Sequence, residues 1–105
     1  MDKKTQARLK VRATIVKAMA HPTRLLIVDE LSRKERCVGE LRDMVGADIS
    51  TVSRHLSLLK NAGIVMDDKR GNQVFYRLRC PCILEFFSCV ESVLRTAARY
   101  GNVGG

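Results

Sequence analysis

Four cysteines, Cys37, Cys80, Cys82 and Cys89, are the side chains of this 105-residue chain with the most chemistry to offer. Cys80 and Cys82 flank Pro81, Cys89 follows seven residues after Cys82, and no histidine lies near them in the chain. Thiolates without imidazole form a soft donor set, suited to trivalent arsenic or antimony, cadmium, lead or mercury. Cys82 falls near the start of a predicted helix, where the macrodipole favours a thiolate, so it ranks first as a ligand, ahead of Cys80 and then Cys89. On regular helix Cys82 and Cys89 share a face but stand roughly 10 Å apart along the axis. One ion reaches both only if Cys80 and Cys82 lie on a non-helical approach that folds back, or if Cys37 or a thiol of a second copy completes the set. The plainer reading of Cys89, on an apolar stripe, is a small buried core residue. For Cys37 it is a partly buried thiol with no ligand role.

The second constellation runs from residue 48 to residue 63. Ile49, Val52, Leu56 and Leu59 recur at three- and four-residue steps and define an inward face. The rest of that helix carries Ser50, Thr51, Ser53, Arg54, His55, Ser57 and Lys60. Short hydroxyl side chains allow a helix to approach a duplex closely, and an arginine is long enough to reach a base edge in the major groove. A predicted strand pair follows at once, with Lys69, Arg70 and Asn72 at its tip. Phosphate contacts position a protein and base contacts specify its site. Ser50, Thr51, Lys60, Lys69 and Arg70 are accordingly expected on phosphates, and Ser53, Arg54 and His55 on bases, unless His55 packs beside the preceding helices. The plain alternative is a solvated helix face with no partner.

These residues need elements to position them. Leu9, Ala13, Val16 and Ala20 predict a first helix over residues 4–19, and Pro22 with Leu25, Leu26, Val28 and Leu31 a second, more buried one to about Arg33. Residues 32–36 read as a charged connection without periodicity. Val38, Leu41 and Val45 mark a short third helix that Gly46 ends, and Asp48 or Ser50 caps the fourth. Two strands, 64–69 and 73–79, surround Gly71-Asn72, with Val74, Tyr76 and Leu78 facing one way. Pro81 is expected to restart a helix to about Tyr100, whose Ile83, Phe87, Val90, Leu94 and Ala97 form a wide apolar stripe. That width exceeds what one small core needs, so the first and last helices are read as a dimer interface. Residues 101–105 are expected to fray.

The length permits one domain, residues 1–105. A formal charge of +8, from 19 Lys plus Arg against 11 Asp plus Glu, favours a polyanion as partner. No apolar run is long enough to span a bilayer, and no signal-peptide core follows Met1, so no membrane and a reducing cytoplasm are expected. There, cysteines serve as thiols or ligands rather than as disulfides. A thiol oxidoreductase is not expected, because redox pairs usually follow a strand in a βαβ unit and Cys80 and Cys82 follow a hairpin. No Ser-His-Asp set, phosphate-binding glycine loop or paired carboxylates point to another enzyme.

Several segments together resemble one family. Residues 20–25, Ala-His-Pro-Thr-Arg-Leu, are similar to the second-helix signature of the ArsR/SmtB metalloregulatory repressors. Residues 48–56 resemble their recognition helix, residues 58–65 its exit into the wing, and residues 70–78 the wing itself. The resemblance spans about residues 9 to 95. It implies a mainly α winged helix-turn-helix with a small β-hairpin, four helices, the hairpin and a fifth helix in order. It also implies a homodimer through the first and last helices, bound to an imperfect palindrome in operator DNA and released by an inducer. Residues 35–41 are similar to the family's third-helix metal box, in which two cysteines stand one residue apart. Cys37 matches the first, but Gly39 stands where the second would be. The last helix lacks the histidines of the family's zinc, cobalt and nickel branch. Arsenite or antimonite on Cys80, Cys82 and Cys89 is therefore the favoured inducer, with a thiol-redox or persulfide switch as the alternative.

Overall fold

The computed structural model describes residues 1–99. The frayed tail expected at 101–105, and the last helix's end at Tyr100, lie outside them. Helix α1 (Lys3–Met19) starts where the Asp2 carboxylate accepts the Thr5 N–H at 2.7 Å. Helix α2 (Pro22–Leu31) has proline in its first turn, and Nδ1 of His21 accepts the Thr23 N–H at 3.1 Å. Strand β1 (Arg36–Cys37) follows, then α3 (Val38–Val45) and α4 (Ile49–Asn61). Strands β2 (Val65–Arg70) and β3 (Gln73–Leu78) form the hairpin, and α5 (Ile83–Arg99) closes the described chain.

Local chemistry sets each boundary. The Glu40 carboxylate accepts the Cys37 N–H at 3.0 Å and starts α3. Gly46, at φ 76°, ends it in the left-handed region that only glycine adopts without strain. Of the two residues considered as caps of α4, Asp48 serves, taking the Thr51 N–H at 2.7 Å. Gly71, at φ 62°, holds the first central position of the two-residue turn between Arg70 and Gln73, the pattern of a type II′ hairpin.

The sheet is antiparallel with order β1-β3-β2, and Arg36 and Cys37 pair with Tyr76 and Phe75. Strand β1 corrects the expected featureless connection over residues 32–36; two residues are too few to leave a periodic trace in sequence. The expected start of the last helix at Pro81 is also corrected. Pro81 and Cys82 form a turn, with the Glu85 N–H reaching the Cys82 carbonyl at 3.0 Å, and regular helix begins at Ile83.

The core joins Met19 of α1, Ile27, Val28 and Leu31 of α2, Leu41 of α3, Val52, Leu56 and Leu59 of α4, and Ile64 and Val65 at the hairpin root. Ile49, Leu25 and Leu26, expected to face inward, are instead exposed. Ile49 belongs to the first turn of α4, which projects past the core, while α2 buries Ile27 and Val28 by turning Leu25 and Leu26 outward. Helix α5 buries no residue completely; Ile83 and Phe87 lean on the core. Leu84, Phe86, Val90, Val93 and Leu94 are exposed, as are Leu9, Val11, Ile15 and Val16 of α1. An open cleft of about 680 Å³ between these helices is lined by Val16, Met19, Leu25, Leu84, Phe86 and Val90 among others.

Leu56 is fully buried at the centre of the packed edge of α4. Leu56→Ala should cost about 2–5 kcal/mol through lost burial and the cavity left behind. A lower urea midpoint at unchanged slope, compared at one protein concentration, is the expected result.

Candidate nucleic-acid interface

Helices α3 and α4, joined through residues 46–48, form a helix-turn-helix, and the β2–β3 hairpin emerges directly after α4. With Val52, Leu56 and Leu59 all at 0% exposure, the opposite side of α4 is committed to solvent. Ser50, Ser53, Arg54, Ser57 and Lys60 are exposed and Thr51 half-buried, as a groove-reading helix requires. Lys69, Arg70 and Asn72 are exposed at the hairpin tip. Ser50, Ser53, Arg54 and Lys60 on α4 and Lys69, Arg70 and Asn72 at the hairpin tip are thus accessible, with Thr51 half so.

His55 departs from this set. Its ring lies 4.6 Å from that of His21 between centroids, and its Nδ1 is buried without a hydrogen-bond partner among the described residues. Burial, reinforced by the charges of His21, Arg24 and Arg54, holds its pKa below the ordinary histidine value. The structure therefore corrects His55 from base reader to packing residue between α4 and the start of α2.

Two expected phosphate partners are engaged within the chain. Lys60 Nζ stands 2.9 Å from an Asp67 carboxylate oxygen, which raises the lysine pKa. Arg70 donates to both Glu35 carboxylate oxygens at 2.6 and 3.0 Å and to Asp68 at 2.9 Å. Its guanidinium also lies 4.6 Å over the Phe75 ring. Arg54 and Lys69 enter no ion pair among the described residues. The partners Glu35, Asp67 and Asp68 were missed from sequence, although two adjacent acids inside a supposedly cationic hairpin were a visible signal. At the other end of α4, Asp48 is held below the usual carboxylate range by the Thr51 N–H. A phosphate approaching that helix N-terminus meets an amide already occupied by a carboxylate.

All four thiols are free, Cys37 half-buried and Cys80, Cys82 and Cys89 exposed. The exposure of Cys89 corrects its reading as a buried core residue: α5 rests on the core through Ile83 and Phe87, and Cys89 lies on a different side. Cys37 sits at the junction of β1 and α3, and a Cβ on Gly39 would lie 3.9 Å from its sulfur. The segment that resembles the third-helix box thus supplies one thiol. Among the described residues, no group of three or more His, Cys, Asp or Glu side chains is gathered as a metal site.

Fold and interface together define a winged helix-turn-helix DNA-binding protein. Residues 21–67 match the family model for bacterial regulatory proteins of the arsR family. The HTH-type transcriptional regulator Rv0081 of Mycobacterium tuberculosis is 36% identical over 86 residues, covering 81% of this chain and 75% of that protein. Its crystal structure superposes with a TM-score of 0.78 at 34% identity, over 87% of this chain and 92% of that one. The repressor SmtB of M. tuberculosis is 42% identical over 64 residues, 61% of this chain and 47% of that protein. A homodimeric winged helix-turn-helix DNA-binding domain from Mycobacterium bovis superposes with a TM-score of 0.81 at 28% identity, over 95% and 93% of the two chains. The chain belongs to the ArsR family of bacterial regulatory proteins. It is a transcriptional repressor, not an enzyme, and no helix among the described residues is long and apolar enough to cross a membrane.

Arg54→Ala should lower affinity for the operator more than for random DNA, by about 1–3 kcal/mol if the arginine makes a bidentate base contact. Equal losses on both duplexes would remove Arg54 from base reading. Lys69→Ala should weaken both alike and flatten the salt dependence. For His55, the folded pKa lies below the unfolded value near 6.5, so the unfolded chain binds the proton more readily. Its contribution to stability is present above that value and lost as pH falls towards the folded pKa. Urea midpoints taken at about pH 7.5 and about pH 5.5 should drop less for His55→Gln than for the native chain.

Proposed function

We propose that this repressor acts as a homodimer on an imperfectly palindromic operator in a reducing cytoplasm. A thiophilic metalloid, arsenite or antimonite, releases it by binding thiolates of Cys80, Cys82 and Cys89. One observation supports the ligand reading: Cys80 and Cys82 are both exposed, in the turn that leads directly into α5. Cys89 follows on the helix itself, exposed. Three thiols condense with arsenous acid to a trigonal tris-thiolate and release three waters, leaving arsenic trivalent. The same helix carries the uncovered apolar residues Leu84, Phe86, Val90, Val93 and Leu94. Ligation at its start therefore bears on the face proposed to join the subunits, and so on the spacing of two recognition helices against major grooves about 34 Å apart. Homodimerisation draws support from the exposed faces of α1 and α5 and from the homodimeric M. bovis domain.

A second reading keeps the repressor and makes the thiols an oxidation or persulfide switch. It is favoured by the absence of a three-ligand cluster among the described residues of one chain. A gel shift on operator DNA under reducing conditions separates the two. Arsenite or antimonite should dissociate the native protein at stoichiometric concentration, and Cys80→Ser and Cys82→Ser should be insensitive. Metalloid without effect, beside release by oxidant or polysulfide, would replace the first reading by the second.

A further inference from the structure

The wing carries an arginine with three of its five N–H donors and one ring-facing surface already engaged. Arg70 is bound bidentately by Glu35, a residue 35 positions earlier that lies just before β1, and its Nε is held by Asp68. The guanidinium rests on Phe75, and Phe75 is anchored by pairing of β3 with both Cys37 and Asp68. The arginine holds the Glu35 carboxyl below the usual range, and Arg77 adds a smaller pull in the same direction. Isolated exposed ion pairs hold a side chain weakly. Here a planar fork matched to two oxygens, a second carboxylate and a stacked ring restrict one guanidinium together.

We infer that Glu35 is an intramolecular phosphate mimic, which occupies Arg70 and competes with the DNA backbone for it. A carboxylate and a phosphate present the same fork-matching oxygens to an arginine. Phosphate can claim the two-pronged edge of Arg70 only by displacing Glu35, and the displaced carboxylate then faces a polyanion. The wing of a chain with net charge +8 is thereby kept from adding its full sequence-independent attraction. Glu35 sets how tightly, and how salt-sensitively, the wing holds any duplex. Base reading on α4 is left untouched. This inference rests on the wing lying against DNA.

Direct titration of the full-length protein with operator and random duplexes tests it. Glu35→Gln should bind both more tightly and to a similar degree, because a phosphate contact carries no sequence information. For one added phosphate contact, the advantage over the native chain should shrink by about 3.5-fold between 50 and 200 mM salt. In an Arg70→Gln background, Glu35→Gln should confer no gain. A gain that persists there would be a general charge effect and would overturn the inference, as would unchanged or weaker binding by Glu35→Gln alone. Lys69→Ala separates the two levels of the argument. A loss with Lys69→Ala beside an inert Glu35→Gln overturns the competition alone. No effect from either places the wing off the duplex, and the interface assignment falls with it.

Discussion

Burial of one edge of α4 is the constraint on which the rest of this structure depends. Val52, Leu56 and Leu59 are removed from water against α2, α3 and the hairpin root. Each such side chain contributes about 1.5–3 kcal/mol on full burial, so together they rival the roughly 5–15 kcal/mol of net stability typical of a small domain. Rotating α4 about its axis would expose all three at once. The hydroxyl and guanidinium side is therefore held outward without any interaction of its own. Ile64 and Val65 belong to the same cluster, so the hairpin leaves the core at a position fixed relative to α4.

Charge is organised less simply than the total of +8 suggests. Cations at the interface fall into two groups. Arg54 and Lys69 stand free of ion pairs among the described residues, whereas Lys60 and Arg70 are tied to carboxylates of the hairpin and of the segment before β1. Those ties join the wing to the recognition helix on one side and to the approach of β1 on the other. A neutral His55 held against His21 adds a third tie, between α4 and the start of α2. The candidate DNA-facing side is thus a surface braced by its own ion pairs at Lys60 and Arg70.

The terminal helices show the opposite economy. Helices α1 and α5 leave a broad apolar surface uncovered, and α5 touches the core mainly through Ile83 and Phe87. A helix so lightly held by its own chain responds readily to whatever covers it. Cys80 and Cys82 sit before its start and Cys89 on its flank, while the recognition helix is locked into the core. Cys80, Cys82 and Cys89 thus belong to a lightly held part of the chain, and the outward residues of α4 to a rigid one.

Much of this was legible in the sequence, where a single local pattern sufficed. The five helices, the hairpin, the glycine stop at Gly46, and the outward Ser50, Ser53 and Arg54 follow from periodicity and capping alone. The family likeness was carried by contiguous segments for the same reason. What local pattern cannot encode is which distant side chains meet. Strand β1 exists only because β3 lies beside it, and His55, at helical spacing with Val52, Leu56 and Leu59, meets His21 only through the fold. Arg70 loses its freedom to Glu35 across half the fold. The exposure of Cys89, Leu25 and Ile49 likewise depends on how far each helix projects beyond a shared core. Periodicity reports which side of an element is apolar; only packing in three dimensions decides where that side stops being covered and which charges find one another.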